Sequence, residues 1–117
     1  MSLTLGTVAF DCLDVTRTAT FWSHVLERPL DPGASEFFAA IGMDGEGPGW
    51  LFLGAEPRAT GKNPVHVDLV DPDYPAQVER VVALGAERVG DFDEYGVQWT
   101  TLLDPEGNAF DIGRRHP

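Results

Sequence analysis

The chain has 117 residues, a length typical of a single domain, and 43% of them are hydrophobic, as in an ordinary globular protein. Eight Lys and Arg against nineteen Asp and Glu give a net charge of −11, which repels phosphate backbones and anionic lipid and disfavours nucleic-acid and membrane binding. No apolar run approaches the ~20 residues of a transmembrane helix, no secretory signal is visible, and the single cysteine excludes an intrachain disulfide, so we expect a cytoplasmic protein.

The first half of the chain changes its hydrophobic period from two to about 3.6 and back. Alternation of apolar residues predicts strands, and apolar residues three and four apart predict a helix. Arg28-Pro29 ends that helix, because the residue before proline disfavours helical backbone. The predicted elements are strands at 7–14, 36–41 and 50–53, a helix at 16–27, and a glycine-rich hairpin loop at 42–49.

The second half repeats this order after a segment without periodicity. The predicted elements are strands at 65–70, 87–89, 97–103 and 109–113, a helix at about 74–84, and turns at 91–96 and 104–108. The repetition indicates a duplicated strand–helix–strands unit within one domain, 1–117. Its modules lie at about 5–54 and 65–114, joined by a linker at about 55–64.

The strand at 65–70 separates apolar from polar side chains. Val65, Val67 and Leu69 share one face, and His66, Asp68 and Val70 share the other. The same alternation puts Asp11 on the face opposite to Val8, Phe10 and Cys12. It also puts Asp111 on the face opposite to Phe110 and Ile112. Polar side chains in the middle of a strand either meet solvent or line a cavity, so these positions are the candidates for a site.

Three segments resemble a known superfamily. They are Asp11-Cys-Leu-Asp14 with Phe21-Trp22, Lys62-Asn-Pro-Val-His66-Val-Asp68 with Leu84-Gly-Ala86, and Trp99 with Asp104-Pro-Glu-Gly-Asn108-Ala-Phe110. The chain resembles the glyoxalase/bleomycin-resistance/dioxygenase superfamily, also called vicinal oxygen chelate (VOC) proteins, and within it the small glyoxalase-like domains. The resemblance implies an α+β fold in which two βαβββ modules form a curved mixed sheet around a concave cleft. Many relatives are dimers, so a homodimer is expected.

The resemblance also implies where a divalent metal such as Zn, Fe, Mn or Ni would bind. The corresponding positions are Thr7, a poor ligand, His66, and Asp111, which is one methylene shorter than the usual Glu; Glu56 lies just beyond the last strand of the first half. His66 and Asp111 alone fall short of the three protein ligands typical of catalytic zinc. Asp11 or Asp68 could complete an unusual site, or His66 and Asp111 could simply hydrogen-bond each other across neighbouring strands.

Three functions stay open at this point. The leading hypothesis is a protein that binds a small oxygenated or aromatic compound in the cleft, with ligand contacts from Asp11, His66, Asp68, Trp99 and Asp111. As an enzyme it would be a lyase, isomerase or dioxygenase, with His66 as metal ligand or base. The alternatives are a non-catalytic binder that sequesters a cationic drug, as bleomycin-resistance relatives do, and an interaction module whose cleft is filled by its own side chains.

Overall fold

The computed structural model describes Leu5 and residues 7–55, 66–94 and 96–115. The chain divides into two compact units, Met1–Arg58 and Ala59–Pro117, each built from one sheet and one helix. The predicted α+β class is therefore confirmed. Glu56 and the predicted linker beyond residue 55 lie outside the described residues, as does Val65. Neither described helix has the length and apolar character needed to span a bilayer.

The first unit is a three-stranded sheet with one helix. Its elements are β1 (Thr7–Cys12), α1 (Val15–Leu26), β2 (Phe38–Ile41) and β3 (Gly49–Gly54). The strand order is β1-β3-β2, with β1 parallel and β2 antiparallel to β3. Asp14 begins the helix, because its carboxylate accepts the amide hydrogen of Arg17 at 3.0 Å.

The core of the first unit is an aromatic cluster between α1 and the sheet. Trp22 is fully buried, and its ring centroid lies 5.4 Å from that of Phe10 and 5.7 Å from that of Trp50. Cys12 is 1% exposed and shares the face of Phe10. The predicted alternation along β1 is therefore correct, and Trp50 is a packing residue.

In the described residues between α1 and β2, the first unit has no strand, although a βαβββ module would have one there. The described segment from residue 27 to 37 is irregular, since Pro29 and Pro32 offer no amide hydrogen to a sheet. The amide of Asp31 donates to the carbonyl of Ala40 at 2.8 Å. Its carboxylate instead binds the amides of Gly42 and Met43, each at 3.0 Å, and so holds the turn after β2.

The second unit has the full βαβββ order. Its elements are β4 (Asp68–Val70), α2 (Tyr74–Ala83), β5 (Glu87–Glu94), β6 (Val97–Leu103) and β7 (Ala109–Arg115). The strand order is β4-β7-β6-β5, with β4 parallel to β7 and the other pairs antiparallel. Val78 and Val81 of α2 are 1% exposed and supply the buried side of that helix.

The predicted turn at 91–96 was wrong over its first four residues, which belong to β5. A register shift between Arg88 and Gly90 lets the strand resume its pairing with β6. The hydroxyl of Thr100 then donates to Asp91 at 2.8 Å. Aspartate and glycine at these positions are typical of turns, but the cross-strand contacts outweigh that local preference.

A buried turn fixes where β7 begins. Asp104 is 4% exposed, and its Oδ1 accepts the amide hydrogens of Glu106 at 2.9 Å and Asn108 at 2.8 Å. The side-chain amide of Asn108 donates to Oδ2 of the same carboxylate at 3.0 Å. The turn closes the β6–β7 hairpin at Leu103 and Ala109, which sets the register of every residue further along β7.

Candidate ligand-binding site

Strand register brings the polar residues of the second unit together on one face of its sheet. Asp111 of β7 lies between Asp68 of β4 on one side and Thr101 of β6 on the other. His66 precedes β4 by two residues and shares the side of Asp68. The next row along the same face is apolar and consists of Val70, Gly113, Trp99 and Phe92.

His66, Asp68 and Asp111 form a compact cluster. Nδ1 of His66 lies 2.9 Å from Oδ1 of Asp68 and 3.7 Å from Oδ2 of Asp111. The second distance exceeds that of a hydrogen bond, so the alternative of a direct bond between His66 and Asp111 is not realised, and Asp68 is the carboxylate in close contact with His66. On its other side, the Oδ1 of Asp111 accepts the hydroxyl of Thr101 at 2.6 Å.

The three side chains of this His66–Asp68–Asp111 cluster differ in exposure. Asp68 keeps 64% of its side-chain surface exposed and His66 37%, whereas Asp111 keeps only 19%. Burial raises the pKa of the Asp111 carboxyl above its ordinary value, and the Asp68 charge raises it further. The Thr101 hydrogen bond and the His66 charge lower that pKa and partly offset the rise.

The cluster lines a hollow of about 470 Å³ on this face of the second unit. A volume of this order suits a small organic molecule. The lining of the hollow includes His66, Asp68, Glu94, Trp99, Asp111 and Arg114. The hollow thus combines carboxylates, an imidazole and an aromatic ring, which is the composition expected of a ligand site.

Trp99 is the aromatic residue that lines the hollow, and it packs against Phe92. The rings of Trp99 and Phe92 stack at 5.2 Å between centroids with 18° between their planes. Gly113 lies opposite Trp99, and a Cβ there would collide with the carbonyl oxygen of Gln98 and lie 2.7 Å from the Cβ of Trp99. A glycine is therefore required for β7 to approach β6 this closely beside the indole.

Arg114 is the cation of the lining, and its guanidinium is held by neighbours. Its Nε donates to Oε1 of Gln98 and its Nη1 to the carbonyl of Pro72, both at 3.0 Å. The guanidinium also lies 5.6 Å from the ring centre of Tyr74. These contacts hold the guanidinium on the α2 side of the sheet, opposite to Gly113. Among the described residues, Asp68, Glu94 and Asp111 line the hollow with carboxylates, so it favours ligands that donate hydrogen bonds.

The candidate residues of the first unit have different surroundings. Asp11 is exposed on β1 and pairs with Leu53, and Thr7 pairs with Gly49, so neither has a polar residue opposite it in the sheet. His24 is exposed on α1. These positions add no second cluster on the sheet of the first unit.

Thr101 is the residue that sequence reasoning missed. The Asp104–Asn108 turn closes a hairpin, and counting back from its ends puts Thr101 opposite Asp111. That count was available from the sequence, since the strand at 97–103 was predicted with its observed bounds. Phe92 could not be found in the same way, because it lies in the part of β5 predicted as a turn.

One known protein family matches the sequence of this chain. The sequence model of the glyoxalase-like domain family matches residues 7–113, nearly the whole chain. The chain belongs to the glyoxalase-like domain family. This confirms the resemblance drawn from the three sequence segments, and the family is part of the glyoxalase/bleomycin-resistance/dioxygenase superfamily.

Solved structures share the fold at low sequence identity. A glyoxalase/bleomycin resistance protein/dioxygenase family enzyme from Burkholderia phytofirmans PsJN is 18% identical with a TM-score of 0.81, over 97% of this chain and 99% of that one. The fosfomycin resistance protein FosX from Listeria monocytogenes is 14% identical with a TM-score of 0.78, over 97% and 94%. The oxidase ChaP-H2 is 17% identical with a TM-score of 0.73, over 98% and 95%. No curated protein matches the chain.

Proposed function

We propose that this glyoxalase-like domain binds a small oxygenated aromatic compound in the hollow of its second unit. The ring of the compound would lie against Trp99, and a hydroxyl or other donor group would reach the His66–Asp68–Asp111 cluster. The observation that carries the proposal is that the indole, the imidazole and both carboxylates line one hollow. Trp99 and Asp111 are diagonal neighbours across β6 and β7, about 7–8 Å apart, which one ring and its substituent can span.

The negative charge of the lining supports a ligand that donates hydrogen bonds over one that accepts them. A ligand carboxylate would meet Asp68, Glu94 and Asp111, whereas a hydroxyl or ammonium group would find acceptors there. An ammonium-bearing ligand connects this proposal with the alternative of a binder of cationic drugs. The same residues would bind either kind of ligand, so the two functions would use one site and differ in whether the bound compound reacts.

His66 is the residue proposed for catalysis, should the bound compound react. A neutral imidazole whose Nδ1–H donates to Asp68 keeps its lone pair on Nε2. That nitrogen can accept a proton from a ligand hydroxyl, and Asp68 stabilises the imidazolium that results. Asp68 thus orients the ring and selects its tautomer, which is a role separate from ligand contact.

Isothermal titration calorimetry with three matched compounds tests the proposal. Benzyl alcohol and benzylamine offer a donor beside a ring, and benzoate offers only an anion. We expect saturable binding of the first two and roughly tenfold weaker binding of benzoate. Trp99→Ala should weaken binding of both donors, while Phe37→Ala, which removes a 73% exposed aromatic of the first unit, should not. The proposal fails if none of the three compounds binds the wild-type protein at millimolar concentration.

A second candidate function is metal-assisted binding at the same cluster. One ligand atom from each of His66, Asp68 and Asp111 lies within 4.8 Å of the others, and one imidazole with two carboxylates suits Zn, Mn or Fe. The donor set therefore fits a divalent cation, which would supply Lewis-acid polarisation of a ligand oxygen. Titration of chelator-treated protein with Zn²⁺ and Mn²⁺ tests this, with Asp68→Asn expected to abolish stoichiometric binding and Asp11→Asn expected to leave it intact.

The assembly implied by the resemblance stays a prediction. We propose a homodimer, which light scattering behind a sizing column would detect as twice the chain mass of 12.7 kDa. Elution at the monomer mass across micromolar concentrations would contradict it.

A further inference from the structure

Thr101 touches the candidate site from outside the hollow. Its side chain is partly buried on β6, directly opposite Asp111, and it is absent from the residues that line the hollow. Its hydroxyl nevertheless makes the shortest hydrogen bond of the site, 2.6 Å to Oδ1 of Asp111. Thr101 therefore reaches the site through that carboxylate.

The bond fixes which oxygen of Asp111 serves the hollow. The terminal torsion of an aspartate is broad and nearly two-fold, so an unrestrained carboxylate exchanges its two oxygens. Thr101 is β-branched and held in a central strand, which restricts the position of its hydroxyl. With Oδ1 engaged by Thr101, Oδ2 is the oxygen that faces His66, at 3.7 Å from Nδ1.

We propose that Thr101 is a positioning residue that holds Asp111 so that a single carboxylate oxygen, Oδ2, receives the ligand. This inference rests on the proposed binding function of the hollow and narrows its ligand class. A carboxylate offered through one oxygen suits a group that donates to one point, such as a hydroxyl or an ammonium. It disfavours amidines and guanidines, whose two parallel N–H groups require both oxygens of a carboxylate.

The chain contains a matched control for this residue. Thr100 directly precedes Thr101 on the same strand, and its hydroxyl also donates to an aspartate, Asp91, at 2.8 Å. Successive residues of a strand point to opposite faces, so that pair lies away from the hollow. Thr100→Val removes a threonine–aspartate bond of the same kind without touching the Asp111 carboxylate.

Binding of benzylamine and benzamidine by four proteins tests the proposal: the wild type, Thr101→Val, Thr101→Ser and Thr100→Val. Benzylamine should bind the wild type more tightly than benzamidine. Thr101→Val should weaken the affinity for benzylamine roughly fivefold, since loss of one hydrogen bond is worth about that factor. It should also reduce the preference of the protein for benzylamine over benzamidine. Thr101→Ser should restore both values, and Thr100→Val should change neither. Equal losses in the serine and valine variants, or the same loss in Thr100→Val, would overturn the positioning role.

A measurement without ligand separates this inference from the binding proposal. The imidazole ¹⁵N resonances of His66 should move in Thr101→Val, because the released carboxylate no longer presents Oδ2 alone, and should stay in place in Thr101→Ser and Thr100→Val. Thr101→Ala removes the same hydroxyl if the valine variant does not fold. Failure of both probes to bind the wild type would refute the binding function only. Unchanged His66 resonances in Thr101→Val and Thr101→Ala would refute the role of Thr101.

Discussion

The two sheets share a strand pairing but differ in the residues that meet there. In each unit the leading strand runs parallel to the last strand, β1 beside β3 and β4 beside β7. Asp11 faces Leu53 in the first unit, whereas Asp68 faces Asp111 in the second. The duplicated scaffold thus determines where side chains meet, and the residue on the last strand determines whether a polar cluster forms. We expect substitutions in the first unit to change stability and those in the second to change binding.

The largest effect is expected in the core of the first unit. Trp22→Ala removes a fully buried indole that packs on Phe10 and Trp50, and it should lower the free energy of unfolding by about 3–5 kcal/mol. Chemical denaturation measures the change. The exposed Phe37→Ala is the control and should stay within about 0.5 kcal/mol of the wild type. A loss under 1 kcal/mol for Trp22→Ala would contradict the packing described for this unit.

A smaller loss of stability is expected at Asp31, which holds the turn after β2. Asp31→Ala removes two hydrogen bonds to backbone amides, of Gly42 and Met43, and should cost about 1–3 kcal/mol in unfolding free energy. Asp44→Ala, in the same loop, should change little. Benzylamine affinity should be the same in both variants. A drop in that affinity without loss of stability would break the division of roles between the two units.

Asp68 should control the tautomer of His66 with little effect on stability. In the neutral imidazole of the wild type the proton should reside on Nδ1, facing the carboxylate 2.9 Å away. Asp68→Ala should shift the population toward the Nε2–H tautomer, which is favoured in free imidazole side chains in water. Two-dimensional ¹⁵N spectra of the ring report the populations. An unchanged tautomer would show that Asp68 does not orient the ring.

The smallest effect concerns the pH dependence of stability. The raised pKa of Asp111 means that the folded state binds a proton at this carboxyl more tightly than the unfolded state does. The group therefore favours folding below its unfolded pKa, and this advantage is lost as the pH rises through its folded pKa. Asp111→Asn should accordingly be slightly more stabilising at neutral pH than in acid. Denaturation at several pH values would contradict this if the difference between variant and wild type grew toward acid.

Much of this arrangement could be read from alternation in the sequence. His66 and Asp68 were assigned to one face because their neighbours Val67 and Leu69 are apolar, and the structure places both beside Asp111. The sequence could not predict which carboxylate His66 contacts, because the distances from its Nδ1 to Asp68 and to Asp111 differ by less than 1 Å. Such a difference in distance depends on tertiary packing rather than on the pattern of the sequence.

The elements that departed from prediction contain residues typical of turns. Residues 91–94 carry aspartates and a glutamate that disfavour strands, yet β5 extends through them because Phe92 stacks on Trp99 and Asp91 accepts from Thr100. The irregular segment before β2 shows the opposite case. There the prolines disfavour a strand, and the Asp31 carboxylate bonds to the turn after β2, so the segment does not add a fourth strand to the sheet.

The central claim is that the hollow of the second unit receives a donor-bearing aromatic ligand between Trp99 and the His66–Asp68–Asp111 cluster. Amide and indole ¹H–¹⁵N spectra recorded during addition of benzylamine test it most directly. The account predicts saturable shifts of the Trp99 indole and of the amides around residues 66–68 and 111–113, with the α1 and β1 signals unmoved. Saturable shifts confined to the first unit, or none at all, would contradict it.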